Sequence, residues 1–381
     1  MTFQAFGLTG YGYGLAAGAS ALVYLLAVWA LRRKSRVDAE AVLLFGMLGI
    51  PLGLIVSRIF YCAANVQYYT KTIQQPWCML SFWDGGYSMA GMLAGLVLAA
   101  LLAAKLRKID FRALLDAVFL PAGLLVCGLR LAEGLTGLLG VGRQVNADAL
   151  AKAVPFLFVT ETMGTMELHR LAVFRYEAGF ALLVCGLALW FSKASRKRQN
   201  GDVTLFFFAL YGAGQVLFES MRDDGHMVLG FIRVQQVLSV LSPLIVLGVL
   251  CRRYGRLHGA RDAVTAAWAA LPVAGLLLWM MVAPINHVLD LSRHIPLGVG
   301  LLAGLALYLA FFLRFRGANL RLILTWLLAL LAVTGCLLLE FSMDGSASLL
   351  RDYALLALCC AALFLLPCAL YGALHRQEKI V

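Results

Sequence analysis

The chain carries a succession of uncharged apolar runs, each about 20 residues long, and this recurrence restricts its fold more than any single motif. A helix of that length crosses ~30 Å of hydrocarbon, where the backbone must satisfy its own hydrogen bonds. The runs are continuous rather than alternating, which argues against a β-barrel. The expectation is an all-α, polytopic integral membrane protein with eleven transmembrane helices. They fall near 11–31, 40–61, 86–104, 113–134, 176–192, 203–221, 233–250, 264–284, 296–313, 320–340 and 352–373. The first run lacks a small-residue cleavage site and reads as a permanent helix rather than a removed signal peptide.

Net charge is +12, but its placement points away from nucleic acid. Basic clusters follow alternate runs: Arg32, Arg33, Lys34 and Arg36; Lys105, Arg107, Lys108 and Arg112; Lys193, Arg196, Lys197 and Arg198; Arg252, Arg253, Arg256 and Arg261; Arg314, Arg316 and Arg321; Arg376 and Lys379. By the positive-inside rule these loops are cytoplasmic, which puts the N-terminus outside and the C-terminus inside. The same clusters attract anionic headgroups. Most of the nine cysteines lie in apolar runs and read as small buried hydrophobes. Cys62 and Cys78 flank one outer loop, where a disulfide is possible. No metal-ligand spacing and no phosphate-binding glycine loop is present, so neither a metal nor a cofactor is expected.

Residues 1–255 read as a seven-span core holding nearly all intramembrane polar groups, 256–262 as a basic cytoplasmic linker, and 263–381 as a four-span helical extension. The polar groups gather in four places. Tyr211, Gln215, Glu219 and Arg222 fall at i, i+4, i+8 and i+11 and share one helical face. Charge at such depth is costly and normally faces a protein interior or a wet cavity. Asp223, Asp224, Gly230, Gln235, Gln236 and Ser239 continue this stripe.

Arg130 and Glu133, at i and i+3, form either a structural ion pair or part of a site, and a glycine-rich exit follows (Gly134, Gly137, Gly140, Gly142, then Arg143). Arginine there suits a phosphate, to which it can fork two hydrogen bonds. Trp83-Asp84-Gly85-Gly86-Tyr87-Ser88 reads as a helix entry with a cap and an interfacial anchor, or as a close-approach loop. Arg175-Tyr176-Glu177 opens the fifth run as belt and cap residues or as site groups. Arg58, at the outer end of the second run, is either buried or snorkelling. All these groups lie toward the outer ends of spans two to six, which suggests a cavity for an anionic lipid headgroup.

In combination and order, these motifs resemble the prolipoprotein diacylglyceryl transferase family over residues 10–255. Gly49 to Tyr61, ending Arg58-Ile59-Phe60-Tyr61, is similar to the family's G-x-x-x-G-x-R-x-x-Y region. Trp83-Asp84-Gly85-Gly86-Tyr87-Ser88 resembles its W-[DE]-G-G-[ML]-S motif, and Arg130 to Gly137 its G-R-x-G-N-x-x-N-G signature. Tyr176-Glu177 resembles a Y-E pair. Tyr211-Gly212, Glu219, Arg222, Gln236 and Ser239 resemble Y-G-x-x-R-x-x-x-E-x-x-R followed by G-Q-x-x-S. There are departures. The family's H-G-G reads Ala90-Gly91-Met92, and the two signature asparagines are Glu133 and Thr136. The arginine four before the glutamate is Gln215, and H-P-S-Q reads Leu171-Ala172-Val173-Phe174.

The resemblance implies transfer of diacylglyceryl from phosphatidylglycerol to the lipobox cysteine of a secreted prolipoprotein, in a bacterial cytoplasmic (inner) membrane. Sulfur attacks the glyceryl carbon and glycerol phosphate leaves. It further implies Arg130, Arg143 or Arg222 at the phosphate, Glu133 or Glu219 as base, and Arg58, Gly85, Gly86, Ser88, Tyr176, Glu177, Tyr211 and Gln215 lining the lipid site. His169 and His226 stand as candidates for the missing histidine. A transferase for another acceptor and a non-catalytic anionic-lipid-binding or transport protein remain the alternatives.

Overall fold

The computed structural model describes residues 2–5, 8–35, 37–82, 85–137, 139–145, 148–163, 166–194, 198–229 and 232–257, with scattered helical residues between 357 and 371. The expected linker beyond 257, the expected spans 264–284, 296–313 and 320–340, most of 352–373, and Trp83, Asp84 and Gly230 lie outside the described residues. The chain divides into two compact units, one of Met1–Phe207 with Met221–Leu229 and one of Phe208–Ser220 with Gly230–Val381.

In the first unit the helices are α1 (Gly12–Leu31), α2 (Ala39–Ala64), α3 (Met89–Arg107), α4 (Phe111–Phe119), α5 (Ala122–Glu133), α6 (Asp148–Ala153), α7 (Val173–Ala194) and the start of α8 (Asp202–Met221). Two of the long helices begin on side-chain caps: Asp38 accepts from the Ala39 N–H ahead of α2, and Ser88 from the Gly91 N–H ahead of α3. α2 and α3 approach closely because small residues line the seam. A Cβ on Gly95 would lie 2.6 Å from the Leu52 carbonyl oxygen, and one on Gly91 would lie 2.7 Å from the Ser57 Cα. Spaced four apart, these two glycines form the small-xxx-small surface that brings membrane helices together.

Among the described residues, five helices are long and apolar enough to cross a membrane, and a sixth span is made if the pair α4 and α5 counts as one. This is a multi-pass, mostly helical membrane protein. The fourth expected span is not one continuous helix. It breaks between Phe119 and Ala122, bending by 44°, because Pro121 has no N–H to continue the ladder and leaves the helical region at ψ 8°. The break is held from the side. Asp116, buried on α4, accepts from the Gly201 N–H (2.9 Å), the Thr204 N–H (3.0 Å) and the Thr204 hydroxyl (2.9 Å), tying α4 to the first turn of α8. Leu120, Ala188 and Val203 form the apolar core beside it, with Phe191 stacked on Phe206 at 4.7 Å.

The all-α expectation also needs correction, because two antiparallel pairs are present in this unit. β1 (Thr2–Ala5) pairs with β2 (Leu8–Tyr11), and β3 (Phe158–Met163) with β4 (Met166–Leu171). The backbone of 142–145 runs along β4: Gly142 N–H donates to Leu171 O (2.8 Å), Leu171 N–H to Arg143 O (3.2 Å) and Val145 N–H to His169 O (2.9 Å). Gly142 in turn faces Arg222 across an antiparallel bridge, and Asp223 N–H donates to Val141 O at 2.9 Å. These contacts join β3, β4, 142–145 and 222–223 into one β layer.

In the second unit, Phe208–Ser220 of α8 lies against α9 (Val234–Leu257), apolar over Val234–Leu250. Gly212 admits Ser242 and Pro243, and the Ser242 hydroxyl donates to Phe208 O at 2.7 Å.

Asp116→Ala strips the acceptor from three donors at once. At ~1–3 kcal/mol per buried unsatisfied group, it should lower stability by about 3 kcal/mol or more. Thermal unfolding of the purified protein in detergent should show this as a clear drop in midpoint, with Asp116→Asn falling less.

Candidate active site

Two arginines and two glutamates of the first unit converge from three elements. Arg130 stands in the last turn of α5 and Glu133 at its end, Glu177 lies in the first turn of α7, and Arg222 directly follows α8. Arg130 Nη1 donates to Glu133 Oε1 at 2.6 Å, and its Nε lies 2.5 Å from Glu177 Oε2. Arg222 Nη2 reaches Glu133 Oε2 at 2.5 Å, while its Nη1 lies 3.4 Å from Glu177. Each glutamate therefore bridges both guanidinium groups. The arginine and Glu177 side chains are at most 3% exposed, whereas Glu133 is 14% exposed and forms the accessible edge.

Asp224 completes the ring: Arg222 Nε donates to its Oδ2 at 3.0 Å, as does Gly140 N–H at 2.9 Å. Burial disfavours a charge on Asp224, but the Arg222 guanidinium, the Gly140 N–H and neighbouring His226 outweigh it and hold the carboxyl well below the usual carboxylate range. Gly140 has φ +74°, and a Cβ there would lie 2.6 Å from Phe174 Cβ and 3.2 Å from Glu133 Oε2. Glycine is thus required both by backbone angle and by space. The glycine-rich exit from α5 serves in the first place to bring a backbone N–H to the ionic ring.

The other expected groups are placed as follows. Arg58 is buried and does not snorkel. Its Nε donates to Met79 O (3.1 Å), its Nη2 to Cys78 O (2.9 Å), and its Nη1 to Gly86 O (3.2 Å) and to Gly85 O. Gly85 and Gly86 both adopt positive φ, which turns their carbonyls to this arginine. Ser88 accepts at the start of α3, and its own carbonyl accepts from the Ser57 hydroxyl at 2.7 Å. The Tyr176 hydroxyl donates to Leu157 O, which spends it on structure. Arg143 is half-buried and lends its carbonyl to the β layer. Cys62 and Cys78 are free thiols, directed to Met79 O and to the Gln75 side chain at 3.6 Å each, so the possible disulfide is not formed.

Of the two candidate histidines, His169 pairs with Thr160 across the hairpin at 3.1 Å. His226 lies against the Tyr61 ring (centroids 5.3 Å apart), its Nε2 is 3.1 Å from Tyr87 O, and its N–H donates to Asp224 Oδ1. Tyr13, in the first turn of α1, lies within electrostatic reach of Glu133 and Arg130, and no sequence signal marked it. In the second unit, Tyr211, Gln215 and Glu219 are all buried on one face, as their spacing requires, and Gln215 Nε2 donates to Glu219 Oε1 at 3.2 Å. Gln235 and Gln236 are buried as well, and Ser239 donates back to Gln235 O.

Residues 1–252 match the family model described as prolipoprotein diacylglyceryl transferase. The chain belongs to this family. Among its relatives, a phosphatidylglycerol–prolipoprotein diacylglyceryl transferase from Clostridioides difficile is 26% identical over 254 residues, covering 67% of this chain and 94% of the relative. Proteins of the same name from Streptococcus equi subsp. zooepidemicus and Streptococcus pyogenes are 27% and 26% identical over 250 and 226 residues. They cover 64% and 57% of this chain and 90% and 80% of the relatives. The match ends near the close of α9.

Removing one partner of a buried pair costs ~3–5 kcal/mol because it strands a charge, whereas replacing both is far milder. Arg130→Met and Glu177→Leu should each destabilise strongly, and the double variant should recover much of the loss in a detergent unfolding cycle. For Asp224 the folded-state carboxyl is depressed, so its contribution is fully present above the ordinary carboxylate value of ~3.9. It is lost only as pH falls below that value, toward the folded-state pKa. The stability gap between wild type and Asp224→Asn should therefore stay flat between about pH 5 and 8 and close in acid.

Proposed function

We propose that this chain transfers the diacylglyceryl group of phosphatidylglycerol to the thiol of a secreted precursor's lipobox cysteine, at the outer face of a bacterial cytoplasmic membrane. The observation that carries the reading is the ring of Arg130, Glu133, Glu177 and Arg222, closed beside Gly140 in a chain of this family. The placement of basic loops supports an N-terminus outside, which puts the ring toward the outer leaflet.

In the proposed reaction the precursor sulfur attacks the glyceryl carbon, a C–S bond forms, the C–O bond to phosphate breaks, and glycerol phosphate departs. Arg130 and Arg222 stabilise the departing phosphate, with each guanidinium exchanging a glutamate oxygen for a phosphate oxygen in a site of low water content. Glu133, the accessible edge of the ring, takes the thiol proton and so supplies thiolate. Glu219, with Gln215, is the alternative base. Arg58, Gly85, Gly86 and Ser88 shape the wall that receives the lipid.

A second reading is favoured by one specific observation, that both arginines are already ion-paired while Gln215 stands where the family pattern has arginine. On that reading the scaffold holds anionic lipid without transferring it, or transfers to another acceptor. Complementation of a bacterium depleted of its own diacylglyceryl transferase, with lipoproteins read by mass spectrometry, separates these. Rescue is expected, with a loss of about 100-fold or more for Arg130→Ala, the scale of removing one oxyanion-type contact. Rescue should fail in Glu219→Ala or Glu133→Ala according to which carboxylate is the base. A well-expressed, membrane-inserted protein that leaves precursors unmodified would sink the transferase reading, and anionic lipid co-purifying with wild type but not with Arg130→Ala would establish the second.

A further inference from the structure

The segment between α2 and α3 has a two-faced character that the transfer reaction does not use. It comprises a π-helical turn at Tyr68–Thr72 and a 3-10 turn at Pro76–Leu80. Its inner side is fixed: Tyr69 is buried, Gln75 N–H donates to Tyr69 O at 3.1 Å, and Arg58 gathers the carbonyls of Cys78 and Met79. Its outer side carries large exposed apolar groups, Trp77 79%, Leu80 71%, Tyr68 50% and Phe82 39%, beside the exposed polar Gln67, Thr70, Lys71, Thr72, Gln74 and Gln75. A loop meant for water would not hold large apolar groups outward on so well anchored a backbone.

This face continues a lipid-facing one. Ile55 and Ile59, in the last turns of α2 leading into the segment, are exposed apolar side chains of a membrane span. The other end of α3 carries Lys105, Arg107 and Lys108, so the segment lies at the end opposite the basic loop. Tryptophan and tyrosine at the end of a span favour the headgroup level, where one side of the ring is apolar and the other wet.

We infer that residues 66–82 lie in the plane of the membrane interface, with Trp77, Leu80, Phe82 and Tyr68 entering the headgroup–acyl boundary of the leaflet at that end of α2 and α3. The occupant of this face is the lipid surface itself. The inference does not depend on the proposed transfer, since it concerns where the segment rests and not what is made. It is linked to the ionic ring through the chain of contacts from Arg58 to Gly85 and Gly86, and from Tyr87 to His226 and Asp224.

The full chain is reconstituted in nanodiscs of phosphatidylcholine and phosphatidylglycerol, and fluorescence of Trp77→Phe is subtracted from that of wild type, which isolates one of the seven tryptophans. The difference spectrum should be blue-shifted and resistant to aqueous iodide. It should be quenched more by lipids brominated high on the acyl chain than by lipids brominated near its end. Leu80→Trp placed in the Trp77→Phe background should reproduce this pattern and guards against a fold change in one variant. A difference spectrum at water-exposed wavelengths that iodide quenches would overturn the inference. So would protection from iodide and bromolipid together, which would assign the face to a protein partner.

Discussion

Everything in the first unit that resembles a site depends on two guanidinium groups sharing two glutamates away from water. A lone buried charge would cost several kcal/mol, and a single pair barely recovers that. Here each carboxylate is bridged by both arginines, so α5, α7 and the chain after α8 are tied at one point. The ties are charge-assisted and directional, which fixes the ends of helices whose apolar flanks could otherwise slide. The β layer of 142–145 and β4, the positive φ of Gly140 and the Asp224 carboxylate all serve to bring Arg222 to that point. The ring is at once the strongest structural tie of the unit and the place where an anion would find its counter-charges.

That double duty bears on chemistry. A phosphate entering the ring must displace carboxylate oxygens, so its affinity is a difference between two good sets of hydrogen bonds rather than a gain over empty donors. Glu133, where the family pattern has asparagine, shares this role with Glu177 and is the more exposed of the two. In the second unit, Gln215 spends its amide on Glu219, where the family pattern has an arginine. Both replacements shift the chain's own charge toward the acidic side.

Much of this architecture can be read from the residues. The apolar runs locate α1 to α5 and α7 to α9 but not the short α6. Of the four residues expected on one helical face, Tyr211, Gln215 and Glu219 are buried along α8, whereas Arg222 lies past its end in a β-bridge. The pairing of Arg130 with Glu133 follows from i, i+3 geometry. What escaped is non-local. Glu177 reaches Arg130 from another helix, and nothing in the fifth run's composition says so. Pro121 was a visible breaker inside an apolar run, yet apolarity alone suggested one continuous span. The β3 and β4 runs of six residues flank Gly164-Thr165, a hairpin signal hidden because neither run alternates cleanly. Arg58 was readable as buried or snorkelling, and only the fold of the 78–86 segment decides between these.

Arg58 has one more consequence. The guanidinium donates to the main-chain carbonyls of Cys78, Met79, Gly85 and Gly86, and it lies 5.8 Å from the centres of the Tyr61 and Tyr69 rings. The carbonyl part of that anchor does not depend on the side chains of Cys78 and Met79. The segment is therefore gripped by its backbone from within, and its outward side chains, Trp77 and Leu80 among them, take no part in that grip.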